Sequence, residues 1–160
     1  MNREQVQEHA LSILKHNHRC SLGISMGVGK TRIAYKHMLG HYNSFAEYLV
    51  VAPKHSIIKT WIDESKKIGC EELLQHITFS TYRSLNKHNP NDFDIVYLDE
   101  CHSLLESHTP FLDNFNGNIV GLTGTPPKRK GSEKYRMVQK YCPVKYEFSV
   151  DEATNNKILN

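Results

Sequence analysis

The chain has 160 residues and a formal net charge of +3, with 39% hydrophobic and 23% charged residues. These are the values of one globular domain able to bury a real core, and they exclude a disordered or fibrous chain. The amino-terminal stretch is charged and amphipathic rather than a secretion signal, no apolar run is long enough to span a membrane, and Cys20, Cys70, Cys101 and Cys142 lack paired spacing, which points to a reduced, cytoplasmic setting, the inside of a phage- or virus-infected host included.

From Glu4 to Lys15, Val6, Ala10, Leu11, Ile13 and Leu14 fall at helical spacing, so a helix with one apolar stripe is predicted. His16 to Cys20 breaks that spacing and reads as an exposed loop. His16, His18 and Cys20 alternate, but without a fourth ligand or a paired-cysteine motif they do not make a zinc site. Cys20 to Ile24 is a short buried strand, Ser25-Met26-Gly27-Val28-Gly29-Lys30-Thr31 a glycine loop, and Arg32 to Leu39 a helix. Tyr48 to Ala52 is a buried strand closed by Pro53. Ser56 to Ile68 is a helix with Ile57, Ile58, Trp61, Ile62 and Ile68 inward, and Gly69 ends it. Strands follow over His76–Ser80, Asp94–Leu98 and Asn118–Leu122, then a helix over Glu133–Tyr141 and a last strand over Val144–Ser149. Between them, Thr81 to Leu85 starts a short helix and Asn86 to Asp92 is polar and turn-rich.

Strands alternating with helices predict an α/β fold, a mostly parallel sheet covered on both faces. In such sheets ligands sit at the carboxyl ends of strands. The glycine loop, Asp99-Glu100 and Thr123 all fall at such ends, so three polar groups found separately converge on one edge.

Strand, glycine loop, Lys-Thr and helix form the phosphate-binding loop arrangement of an NTPase. Gly27 and Gly29 free the backbone to turn its N–H groups toward phosphate oxygens, and the following helix adds its positive end. Lys30 reaches the β- and γ-phosphates of ATP, and Thr31 ligates magnesium. Asp99 completes the magnesium site, and Glu100 positions and activates the attacking water. Two adjacent acids after a buried strand are costly unless such a partner holds them there.

Here a resemblance enters. Asp99-Glu100-Cys101-His102 is similar to motif II of superfamily-two helicases and translocases of the DExH group, and Ser25 to Thr31 resembles their motif I. Ile24 stands where the strict phosphate-loop pattern has glycine, a departure that helicase variants share. Val50-Val51-Ala52-Pro53-Lys54 resembles motif Ia, Ser80-Thr81-Tyr82 motif Ib, and Leu122-Thr123-Gly124-Thr125-Pro126 motif III. Gln5 stands where these proteins carry the glutamine that reads adenine. Tyr146 to Ala153, with Ile158-Leu159, resembles the end of the first domain in the branch holding excision-repair, phage recombination and type III restriction-subunit helicases. Remodeller ATPases share the style of motif I.

The resemblance implies a RecA-like fold over residues 1–160. It implies catalytic roles for Lys30, Asp99 and Glu100, and nucleotide contacts from Gln5, Met26, Gly27, Val28, Gly29, Lys30, Thr31 and Arg32. His102, Thr123 and Thr125 would couple the nucleotide to movement. Pro53, Lys54, Ser80 and Thr81 would face the backbone of a nucleic acid, DNA rather than RNA; an amide, two hydroxyls and a lysine suit phosphates without reading bases. Lys128-Arg129-Lys130, with Lys134 and Arg136 beyond, is either a further phosphate grip or a solvated loop. Motors of this kind need a second RecA-like domain, which supplies an arginine finger, and the chain reads as the front half of one. The competing expectation is a non-motor regulatory module that binds nucleotide or nucleic acid.

Overall fold

The computed structural model describes residues 2–25 and 28–148. Six strands form one sheet, β1 (Arg19–Ile24), β2 (Tyr48–Ala52), β3 (Ile77–Thr81), β4 (Ile95–Asp99), β5 (Asn118–Thr123) and β6 (Val144–Phe148). Every neighbouring pair is parallel, in the order β3-β2-β4-β5-β1-β6. The helices are α1 (Arg3–His16), α2 (Lys30–Gly40), α3 (His55–Lys67), α4 (Thr109–Asn114) and α5 (Glu133–Tyr141).

The continuous apolar runs of the inner strands follow from burial on both faces. In β2 successive side chains alternate between two cores. Tyr48 and Val50 join Tyr97, Val120 and Leu122 in a cluster with α1, α2 and Trp61 of α3. Leu49 and Val51 join Val96, Leu98 and Ile119 against Phe111 and Leu112 of α4 and Met137, Val138 and Tyr141 of α5. Gly121 of β5 lets Ser21 come close: a Cβ there would lie 2.1 Å from Ser21 Oγ, which instead donates to the main-chain oxygen of Cys142 at 2.6 Å.

Register decides where the chemistry goes. Leu22 of β1 pairs with Leu122 of β5, and Leu122 pairs with Asp99 of β4. The end of β4 therefore stands level with Leu22, three residues before the glycine loop begins, and two strand spacings or about 10 Å to its side. That is within reach of a lysine side chain on the first turn of α2.

The fold differs from the sequence reading at three places. Arg19, read as part of the loop, already belongs to β1, and Cys20, read both as the loop's end and as the start of the strand, is fully buried in the strand. Helix α4 was not predicted. Its six residues are too few for periodicity to show, and Phe111 and Leu112 hold it by burial. In α3 only Trp61 and Ser65 are buried, while Ile57, Ile58 and Ile62 are half-buried, Ile57 on the wall of an open cavity. All four cysteines are free and buried. Among the described residues no helix is long and apolar enough to cross a membrane.

One buried group makes the fold acid-sensitive. His37 of α2 is 5% exposed, its Nδ1 lies 2.7 Å from the Tyr97 hydroxyl, and its Nε2 has no hydrogen-bond partner. Burial, and then the neighbouring His41, lowers its pKa from 6.5 to about 4. The unfolded chain therefore takes up this proton first, so the stability it carries is intact above pH 6.5 and drains away as pH falls toward 4. Urea unfolding should show a loss of about 2 kcal/mol from this group between pH 7 and pH 5, and the loss should shrink by that amount in His37→Gln. An unchanged pH dependence in the variant would contradict it.

Candidate nucleotide site

The wall of a cavity of about 470 Å³ is formed by residues from four elements and the loop between β1 and α2. Gly29, Lys30, Thr31 and Arg32 come from the start of α2, Asp99 and Glu100 from the end of β4, Ile57, Thr60 and Glu64 from α3, and Arg3 and Gln7 from α1. Its size suits a nucleotide.

Gly29 precedes α2 with φ +94°, a conformation open to glycine at little strain, and a Cβ there would lie 2.6 Å from Gln7 Nε2. The helix begins with Lys30 and carries no side-chain cap, so its first N–H groups are left to an outside acceptor. Val28 is buried in the core, with its carbonyl facing back into the protein. Met26 and Gly27 lie outside the described residues.

Lys30 Nζ pairs with Glu100 Oε1 and stands 3.2 Å from Asp99 Oδ1. Burial works against its charge, but Asp99 and Glu100 outweigh it and the lysine pKa is raised. Asp99 is 3% exposed. Its Oδ2 accepts from the Trp61 indole at 2.8 Å and its main-chain oxygen from the Tyr82 hydroxyl at 2.7 Å. Its Oδ1 is buried with no hydrogen-bond donor, facing only the lysine charge. Glu100 has φ +54°, and it is the one non-glycine residue with positive φ among those described.

Glu100 Oε2 lies 3.5 Å from His102 Nδ1, which is 2.9 Å from Thr123 Oγ1 and 3.4 Å from Thr125 Oγ1. Thr123 Oγ1 also accepts from the Thr125 amide at 3.0 Å. β5 lies between β1 and β4, and Thr123 is its last residue. Burial lowers the His102 pKa, against the pull of Glu100, so the ring is neutral near pH 7.

Residues 1–128 match the family model described as type III restriction enzyme, res subunit. The chain belongs to this family.

Solved structures agree on the architecture. The res-family chain is similar to the UvsW helicase from bacteriophage T4, with TM-score 0.71 and 15% identity over 88% of this chain and 58% of that one. It is similar to the Hef helicase domain of Pyrococcus furiosus, with TM-score 0.68 and 15% identity over 93% of this chain and 39% of that one. It is also similar to LlaGI, a type ISP restriction-modification enzyme solved in complex with a DNA substrate mimic, with TM-score 0.68 and 19% identity over 98% of this chain and 20% of that one. At these identities the likeness concerns fold, and the fold is the RecA-like one. The chain spans 58% or less of each of these three proteins. Comparison with curated proteins gives no match.

Gln5 is not brought to this site. It is the third residue of α1, its side chain accepts from the Asn2 amide, and Asn2 Oδ1 accepts from the Gln5 amide, each at 2.8 Å. That reciprocal capping box occupies it. Gln7 takes the place on the cavity wall. It is 4% exposed, its Nε2 donates to the Val28 carbonyl at 2.8 Å, and Lys36 Nζ lies 3.4 Å from its Oε1. The sequence held a sign of this, since Gln7 lies on the buried stripe with Ala10 and Leu14, where a polar residue needs a partner. Calorimetry with ADP should find Gln7→Ala weakened, because the Val28 carbonyl loses its donor beside Gly29, and Gln5→Ala unchanged apart from a stability loss of about 0.5–1 kcal/mol. Equal affinities in the two variants would contradict this assignment.

Arg32 lies on the wall with an Nη atom 3.4 Å from Glu64 Oε1. Pro53 and Lys54 are exposed at the carboxyl end of β2. Ala52 pairs with Thr81, so Ser80 and Thr81 stand beside them on β3. Ser80 is buried and its hydroxyl donates to the Thr81 carbonyl at 2.8 Å, leaving Lys54 and Thr81 as the more accessible members. In the basic cluster Lys128 pairs with Glu147 at 2.5 Å and Arg136 with Glu106 at 2.7 Å. Ser149 to Ala153 and Ile158-Leu159 lie outside the described residues.

Proposed function

We propose that this chain is the ATP-binding domain of a nucleic-acid motor. ATP is hydrolysed by water, and the hydrolysis drives movement along DNA. The observation that supports this best is Lys30 at the start of an uncapped helix with both Asp99 and Glu100 around its ammonium group.

The residues fit magnesium. Asp99 Oδ1 is a buried, hard oxygen without a hydrogen bond, and Thr31 lines the same cavity. Thr31 and Asp99 would hold the ion, whose charge offsets that developing on the phosphoryl oxygens. The chain's own groups do the rest. The first amides of α2 and Lys30 take the phosphates. As the lysine turns to them, Glu100 loses its cation and keeps only His102 at 3.5 Å. Its carboxylate is then able to accept a proton from water. Through His102 the same glutamate adjoins Thr123 and Thr125, a path by which the state of the nucleotide reaches the segment after β5. Gln7 replaces Gln5 as the amide at the nucleotide. A second RecA-like domain would supply the remaining positive charge.

DNA is the proposed track because LlaGI was solved with a DNA substrate mimic and because exposed Lys54 and half-buried Thr81 suit a phosphate backbone. Fluorescence anisotropy with thymidine and mixed-sequence oligonucleotides should give equal affinities that fall steeply between about 50 and 200 mM salt. Lys54→Ala should reduce the log–log slope by about 0.7. Affinity indifferent to salt, or tied to one base sequence, would contradict the proposal.

A further inference from the structure

Three separate segments meet on Asp99. Trp61 Nε1 donates to its Oδ2 at 2.8 Å, the Tyr82 hydroxyl donates to its main-chain oxygen at 2.7 Å, and Lys30 faces Oδ1. Both aromatic residues are buried, Trp61 completely. Each comes from a segment that starts at the proposed DNA-facing edge. Lys54 precedes the first turn of α3, which carries Trp61, and Tyr82 directly follows Thr81.

Trp61 is also fixed from behind. Its main-chain oxygen accepts from the Tyr35 hydroxyl at 2.6 Å, and the two rings meet edge to face at 5.5 Å. Tyr35 belongs to α2, the helix that begins with Lys30. One indole thus ties together the phosphate-loop helix, the helix after Lys54 and the acid at the end of β4.

Filling a core does not require this arrangement. A buried indole needs an acceptor, and a main-chain carbonyl would satisfy it. Here the acceptor is one oxygen of the carboxylate that faces the nucleotide cavity. A charge-assisted hydrogen bond to Oδ2 fixes the carboxylate plane and leaves Oδ1 alone for a cation. The Tyr82 hydroxyl fixes the main chain at the same residue. With plane and backbone both held, Asp99 moves only if α3 or the turn after β3 moves.

We propose that Trp61 and Tyr82 are positioning residues, which hold Asp99 so that Oδ1 alone meets a magnesium–nucleotide and which pass to it any shift of the Lys54 and Thr81 turns when a DNA strand binds. This rests on reading the cavity as a magnesium–nucleotide site.

The test uses Trp61→Phe and Tyr82→Phe, which both keep an aromatic ring and remove the donor; the second removes nothing else, while the first also leaves space in the core. ADP is titrated calorimetrically with magnesium and, separately, with a chelator. Trp61→Phe should weaken binding about 10-fold with magnesium and leave the chelator value unchanged, as loss of an outer-shell partner predicts. Tyr82→Phe should act in the same direction. A merely structural role would shift both conditions alike, and that result, or no shift at all, overturns the positioning role. Adding a thymidine oligonucleotide should change the magnesium–ADP affinity of the parent protein and not of the two variants. A parent that ignores the oligonucleotide, or variants that keep the response, overturns the link to DNA.

The parent protein gives a reading that does not depend on how well a variant folds. Trp61 is its one tryptophan. Its emission should shift with magnesium–ADP, stay unchanged with ADP and chelator, and lose the shift in Asp99→Asn. Emission that responds equally with and without magnesium overturns the proposal. A parent that binds no nucleotide in either condition refutes the site reading itself, whereas magnesium-dependent binding that survives in Trp61→Phe refutes only the positioning role.

Discussion

Residues 1–160 alone should bind ATP and release phosphate very slowly, and joining them to a second RecA-like domain should raise the rate about 10³- to 10⁵-fold, the worth of an arginine finger. The electrostatics of the cavity give the reason. Positive charge must fall on the γ-phosphate as its bond breaks. Lys30 supplies some, but its charge is already shared between Asp99 and Glu100. Arg32 stands against Glu64, and Arg3 belongs to the first turn of α1. Magnesium would offset charge on the bridging side without replacing a finger. Steady-state phosphate release, with and without DNA, on the short and the two-domain proteins is the measurement. In the two-domain protein Glu100→Gln should reduce turnover by about 10²- to 10⁴-fold while ATP still binds, since glutamine keeps the shape and loses the base. Vigorous DNA-stimulated hydrolysis by the short chain would contradict the expectation and would assign the finger to Arg3, Arg32 or a second copy of the chain.

The second large effect is expected of Lys30→Ala, which should raise the Kd for magnesium–ADP by more than about 100-fold, or about 3 kcal/mol. The lysine is the one side-chain cation adjoining both Asp99 and Glu100 in the described residues, and its removal has two consequences. The phosphates lose their point charge. The nearly buried Asp99 carboxylate is also left with the Trp61 indole as its only side-chain partner, beside a second carboxylate, which destabilises the fold in the absence of ligand. Stability and binding can be separated by a double-mutant cycle. Lys30→Ala with Asp99→Asn should recover stability, because the uncompensated charge is gone, and should not recover nucleotide binding. Calorimetry and urea unfolding on the four proteins measure both. Unaltered affinity in Lys30→Ala would end the assignment of this loop to phosphate.

The sequence was legible where local pattern and tertiary burial ask for the same thing. The runs Tyr48 to Ala52 and Ile95 to Leu98 are apolar at every position because both faces of those strands are covered, and they could be read without knowing by what. The acids at 99 and 100 stood out because a buried strand rarely ends in two charges without a partner. Gln5 and Gln7 show where this stops. Both are glutamines in the first turns of one helix, and only the direction of the helix relative to the glycine loop separates the capping residue from the one on the wall. Trp61 read correctly as an inward residue, yet nothing within 38 positions of chain says that its indole reaches Asp99. That contact depends on β2 and β4 being neighbours, a fact of strand order. Ile57 has the spacing of a fully buried face, but the cavity that leaves it half-covered is lined mostly by other elements.

The left-handed backbone at Glu100 has a consequence for how such a chain can change over generations. For folding alone, a Cβ-bearing glutamate at φ +54° is a burden, and glycine or asparagine would sit there with less strain. Stability and chemistry therefore pull this position in opposite directions. A lineage relieved of the need to hydrolyse nucleotide would meet little resistance to drifting toward those residues, and would gain stability as it did so. The glutamate at position 100 is thus a place where a lapse of activity would be written into the sequence early, before the core or the sheet recorded any change.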